Sequence, residues 1–262
     1  FLGYQAGTKG NGDYNVFVGY KSGMHNEGNE DTYIGYSAGS KVKGNKNTII
    51  GYNAGNSENE IIINESVFVG YGVGENLNTT QSTIVGYNAG TGLKNNGTEN
   101  NTFFGYNVGG TQGNFNTYMG TNTANNSTGS YNVALGINAG SNTSIKTSGI
   151  ENCDYNVYIG YHAGSSSEGY QNVSIGHYSG SNLEGIRNVT LGCNAGKDSK
   201  GNSNVFIGND IANSKDNIEN NVIISSSVSD DTIETLESDI KNKNNILIGL
   251  GTGRILSGSH NV

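Results

Sequence analysis

Asn15-Val16-Phe17-Val18-Gly19-Tyr20-Lys21-Ser22-Gly23 is one instance of a motif that runs the length of the chain and decides its fold. The central glycine returns at Gly3, Gly35, Gly51, Gly70, Gly86, Gly105, Gly120, Gly136, Gly160, Gly176, Gly192, Gly208 and Gly249, and Ser225 replaces it once, which makes fifteen copies. Most copies are 16 residues apart, with a few spacings of 19 and 24. A period of this length marks a solenoid, because no single repeat can bury its apolar face until a neighbour stacks on it. The fold class expected is all-β: a parallel β-solenoid, or β-roll, of about 15 layers with two short strands per 16-residue repeat. Residues 1–262 are read as a single domain, roughly 70 Å long at about 4.8 Å per layer.

Working outward from the glycine, asparagine stands four residues before it in most copies, as at Asn132, Asn156, Asn172, Asn188 and Asn204. An asparagine at a strand entrance can bond backbone and stack into an amide ladder. The residues three and one before the glycine are Val, Thr, Ile or another apolar type, and they share one face by strand parity. The residue between them is more variable, from Phe17 and Tyr33 to Ala134, Ser174 and Thr190. A variable column beside a constantly apolar one reads as outside against inside. After the glycine comes a tyrosine column, Tyr4, Tyr20, Tyr36, Tyr52, Tyr71, Tyr87, Tyr106 and Tyr161, followed by a small residue and a second glycine. The tyrosines have the parity of the inferred core, which favours packing, while an exposed row would suit a glycan or a protein partner. The second strand is placed just past this glycine corner, with the polar remainder as a return loop. Insertions near 56–65, 141–155 and 229–244 fall in those loops, and Ile233, Leu236 and Ile240 predict a short helix within 231–241.

Composition agrees with a thin, ladder-rich core. The chain has no Pro, which would delete ladder hydrogen bonds, and its 42 glycines follow the repeat rather than a collagen period. A net charge of −8 without a Lys/Arg stripe argues against nucleic acid and against anionic membrane. No apolar run is long enough to insert in a bilayer. Cys153 and Cys193 have no metal or redox spacing and are read as free thiols, being roughly 9–10 Å apart along the axis alone in this register. His25, His162, His177 and His260 are scattered, and the carboxylates Glu58, Glu60, Glu65, Asp230, Asp231 and Glu234 cluster in insertions. Neither set forms a catalytic or metal-binding group, so no enzyme activity, metal or cofactor is expected. Asn-x-Ser/Thr triplets, such as those at Asn78, Asn96, Asn126 and Asn188, are chance products of an Asn-rich chain.

The strings Asn156-Val157-Tyr158-Ile159-Gly160, Asn172-Val173-Ser174-Ile175-Gly176 and Asn188-Val189-Thr190-Leu191-Gly192 resemble the head repeats of trimeric autotransporter adhesins. The glycine-tyrosine repeats are also similar to those of phage and virus tail fibres. This resemblance, which covers essentially the whole chain, implies a left-handed β-roll, association into trimers and adhesion to host glycan or matrix protein. It also implies an extracellular, cell-surface or virion-surface location.

Asn261-Val262 fills the first two positions of a motif and Phe1-Leu2-Gly3 the next three. That phase match suggests end-to-end stacking of successive copies or segments, with Phe1, Leu2, Asn261 and Val262 at the contact. Two functions follow: a non-enzymatic structural or adhesive rod of a surface fibre, or a self-stacking structural filament without a receptor.

Overall fold

A computed structural model describes residues 1–91, 97–109, 113–143, 153–214, 218–225 and 243–249. Among these residues every regular element is a β-strand. The chain divides into two compact units, Phe1–Tyr131 and Asn132–Val262, each a parallel solenoid carrying seven strands of the main ladder. In the first unit these strands run from Val16–Val18 through Thr32–Ile34, Thr48–Ile50, Val67–Tyr71, Thr83–Tyr87 and Thr102–Tyr106 to Thr117–Thr121, and Leu2 bridges Val18. In the second they run from Val133–Leu135 to Ile246–Ile248.

Register follows the motif and ignores loop length. Val16 faces Thr32 one repeat on, Val69 faces Ile50 across the insertion at 56–65, and Ile159 faces Leu135 across that at 141–155. A one-residue slip would turn each strand inside out, so the pairing holds while loops absorb the extra residues. Residues 144–152 and 226–242, which include the expected helix at 231–241, lie outside the described residues.

The segment after the central glycine is a turn. The second ladder comes further on, within the stretch expected to be a return loop. It comprises Val42–Lys43, Ile61–Asn64, Thr79–Thr80 and Thr98–Glu99 in the first unit, and Gly201–Asn202 with Ile218–Glu219 in the second. The turn is shaped by left-handed residues such as Ser37 (φ 50°), Asn53 (φ 52°) and Asn194 (φ 52°). That conformation costs about 1–2 kcal/mol per non-glycine residue. Each turn recovers this by bonding to the turns on either side, as Ser37 N–H does to the Tyr20 carbonyl of the preceding layer (2.8 Å) and Gly39 N–H to the Ala54 carbonyl of the following one (2.9 Å). Backbone groups are therefore satisfied around the coil and not in the strands alone.

The core overturns the expected inside and outside. Phe17, Tyr33, Ile49, Phe68, Ile84, Phe103, Tyr118, Tyr158 and Phe206, from the variable middle column, are buried, and Ala134, Ser174 and Thr190 are as well. The residues three and one before the glycine face outward. Size variation is tolerated inside because the second glycine of most repeats yields room, with Ala124 and Ala212 in its place after Tyr118 and Phe206: a Cβ on Gly39 would collide with the Tyr33 ring, and one on Gly164 with Tyr158. Tyr158 also reaches Gly140 one layer away, over the space left by Ala134. Ala38, Ala54, Ala89, Ala139, Ala163 and Ala195 are buried beside this column.

Candidate functional surface

Three columns of side chains point away from the core on the face of the main ladder. Strand alternation continues through the glycine in Val67–Tyr71, Thr83–Tyr87 and Thr102–Tyr106, so Val67, Val69 and Tyr71 all face solvent while Phe68 faces in. The shared parity of tyrosine and the apolar columns thus holds, but their common face is the outer one. No Asp, Glu, Lys or Arg occupies any position of these columns, in a chain holding 36 charged residues (14 + 22). Exposed members include Val16, Ile34, Val67, Phe104, Met119, Leu191, Ile246 and Ile248. Each unit thus carries an uncharged, partly exposed apolar strip on the outer side of its ladder.

The tyrosine column both stacks and remains open to solvent. Tyr4, Tyr20, Tyr36, Tyr52, Tyr71, Tyr87 and Tyr106 are 37–67% exposed. Their ring centroids are 4.9 to 5.5 Å apart, with interplanar angles of 6° to 15°. Ring faces are therefore spent on one another, and the column offers solvent its ring edges and hydroxyls. Thr121 replaces the tyrosine in the last strand of the first unit. In the second unit the column reads Ile137, Tyr161, His177 and Cys193.

The asparagine column lies on the inner side of the strand entrance. Asn132, Asn156, Asn172, Asn188 and Asn204 are at most 4% exposed. Each side-chain oxygen accepts the backbone N–H of the next member: Asn156 N–H to Asn132 Oδ1 (2.8 Å), Asn172 to Asn156 (2.9 Å), Asn188 to Asn172 (2.9 Å) and Asn204 to Asn188 (3.0 Å). The amide nitrogens of Asn156, Asn172 and Asn188 donate to the carbonyls of Gly169, Gly185 and Gly201. Asp31 takes this position once, accepting from Asn47 N–H at 2.8 Å and from Asn26 Nδ2 at 3.2 Å. Its burial pushes the carboxyl above its ordinary range, and the hydrogen bonds from Asn47 and Asn26 offset part of that shift.

Two histidines and a cysteine approach one another in the second unit. His162 and His177 lie in adjacent layers, with Tyr161 stacked on His177 (5.2 Å) and His162 on Tyr178 (4.9 Å). Cys193 Sγ is 3.7 Å from His177 Nδ1. Burial and the neighbouring His177 hold His162 below the ordinary imidazole range. Sequence reading left these histidines scattered, yet their separation is one repeat less one residue, which puts them in neighbouring columns of neighbouring layers. Among the described residues no three His, Cys, Asp or Glu side chains are disposed around a common metal position. Cys153 is buried, and neither it nor Cys193 is in a disulfide.

Phe1 stacks on Phe17 at 5.0 Å, and Phe1 and Leu2 are both exposed. Their expected partners Asn261 and Val262, like Asn96, Asp230, Asp231, Glu234 and His260, lie outside the described residues. Comparison with family models, curated proteins and solved structures finds no match.

Proposed function

We propose that the chain is a non-enzymatic structural and adhesive segment of an extracellular or virion-surface fibre, and that its outer sheet face makes the contacts. The uncharged ribbon carries this reading, because the described chemistry is repeated layer by layer instead of converging on a cleft. A glycan on this face would be held mainly through the row of phenol hydroxyls, since Tyr20 to Tyr87 are each covered on both faces by neighbouring rings. A matrix protein would use the flanking Val, Ile and Phe columns. Binding to immobilised glycans and matrix proteins tests the proposal, with Tyr52→Lys/Tyr87→Lys as the variant. Capture by the native chain and at least a tenfold loss in the variant are expected. Equal binding by both, or no capture of any member of the panel, refutes adhesion through this face.

A structural filament without a receptor is the second reading. It is favoured by the identical layer interval of any two copies, which lets uncharged faces meet in register without opposing like charges. Solution mass and electron microscopy separate the two: discrete oligomers such as trimers accompany adhesion, and indefinite fibres accompany the filament.

A further inference from the structure

We propose that the tyrosine column of the first unit is an oxidative cross-linking site, at which successive layers become joined by carbon–carbon bonds between tyrosine rings. Tyr4, Tyr20, Tyr36, Tyr52, Tyr71, Tyr87 and Tyr106 hold six successive phenol pairs at 4.9 to 5.5 Å, near parallel. All seven are at least 37% exposed, so a one-electron oxidant in solution can reach them. The core column differs on both counts: Tyr33 and Tyr118 are buried, and each stacks on a phenylalanine, Phe17 and Phe103, which cannot form a phenoxyl radical. In the second unit the tyrosine column breaks, because Tyr161 is followed by His177 and Cys193.

The oxidant is hydrogen peroxide acting through a haem peroxidase. Each of two tyrosines gives up one electron and its phenolic proton, and the peroxide is reduced to two waters. The two phenoxyl radicals combine at ring carbons ortho to oxygen, forming one C–C bond. Each ortho hydrogen then moves to its phenol oxygen as the ring regains aromaticity, so the pair has lost two hydrogen atoms in all. Stacked neighbours have an effective concentration of millimolar or more, far above that of a dilute second molecule, so coupling runs along the column. Coupling requires the two rings to turn about their Cα–Cβ and Cβ–Cγ bonds until their ortho edges meet. Each link would tie covalently two layers that are otherwise held by hydrogen bonds and packing. The inference is independent of the adhesive reading, because the isolated chain suffices to test it.

The experiment treats the intact protein at micromolar concentration with peroxidase and peroxide, and reads dityrosine fluorescence, chain mass and the linked peptides. Monomeric product is expected, lighter by two hydrogens per link, with links between column neighbours and a higher urea midpoint. Replacing alternate members, Tyr20→Phe/Tyr52→Phe/Tyr87→Phe, keeps the aromatic stack but leaves no two column phenols adjacent. With 13 of 16 tyrosines kept, random coupling would fall only to about two thirds, whereas coupling along the column falls about fivefold or more. Wild-type chain oxidised in urea supplies a comparison that needs no variant to fold: its links scatter over other tyrosines. Mainly intermolecular product, links equally frequent at Tyr14 and Tyr155, or a loss of only a third in the variant overturns the proposal.

Discussion

Truncating Asn188 to alanine interrupts the amide ladder at a fully buried rung and measures what the ladder contributes. In the native chain Asn188 Oδ1 accepts from both the backbone N–H and the side-chain amide of Asn204, each at 3.0 Å. Its amide donates to the Gly201 carbonyl at 2.8 Å and to Asn172 Oδ1 at 3.2 Å. Asn188→Ala therefore deprives the Asn204 N–H of its acceptor and removes a donor from the Gly201 carbonyl, in a place water does not reach. At about 1–3 kcal/mol for each buried group left unpaired, the loss is about 3–5 kcal/mol. Asn188→Ser should cost about 1–2 kcal/mol, since a hydroxyl can keep the N–H acceptor. Ser66 and Ser82 already do this in the same column, accepting N–H groups of Ser82 and Asn101 at 3.1 Å. Urea unfolding followed by circular dichroism gives the ranking, and hydrogen exchange at the Asn204 amide localises it. Because stacked repeats can open locally, the exchange rate is the more specific readout. If alanine and serine cost the same, or if the Asn204 amide keeps its protection in the alanine variant, the ladder does not stabilise the coil as argued.

Asp31→Asn removes a carboxylate from the core, so its stability relative to the wild type should rise from acid to neutral pH. Because the folded pKa is raised above 3.8, the wild-type contribution is full below that value and falls as pH rises through the folded pKa. The urea midpoints of the two proteins should consequently converge in acid and separate toward neutrality, and a constant difference would contradict the assignment. Gly86→Ala puts a Cβ into the Gly105 carbonyl oxygen at φ +142° and should cost about 3 kcal/mol or more. Gly97→Ala meets open space at φ +57° and should cost about 1 kcal/mol, so thermal melts that rank the two the other way would contradict the close layer contact.

The repeat, its register and the alternation of faces were legible in the sequence because each is a matter of spacing, which substitution does not blur. Which face lies inside was not. Constancy of Val and Ile suggested a core, but constancy here belongs to the outward-facing columns that flank the buried one. The variable middle column could be buried because a glycine six residues later accommodates rings as large as Tyr33 and Tyr158. The tyrosine column was visible as a column, and its placement followed from the parity once the face was inverted. The second ladder went unseen because most of its segments are pairs such as Val42–Lys43 and Thr79–Thr80, or single bridges such as Glu27 to Lys43 and Glu184 to Lys200, too short for a period of two to show. The proximity of His162, His177 and Cys193 needed the layer register, which turns sequence offsets into neighbours.

Phe103 and Phe104 are adjacent in sequence and identical in type, yet Phe103 is 1% exposed and Phe104 51%. Placing lysine at each in turn therefore tests the central claim, that the middle column is the core and its two flanks are the outer face. Phe103→Lys should abolish the cooperative urea transition or lower stability by about 4 kcal/mol or more, from lost packing and a buried charge. Phe104→Lys should change it by about 0.5 kcal/mol or less, as for an exposed site. Equal losses, or a larger loss at Phe104, would contradict the assignment of inside and outside.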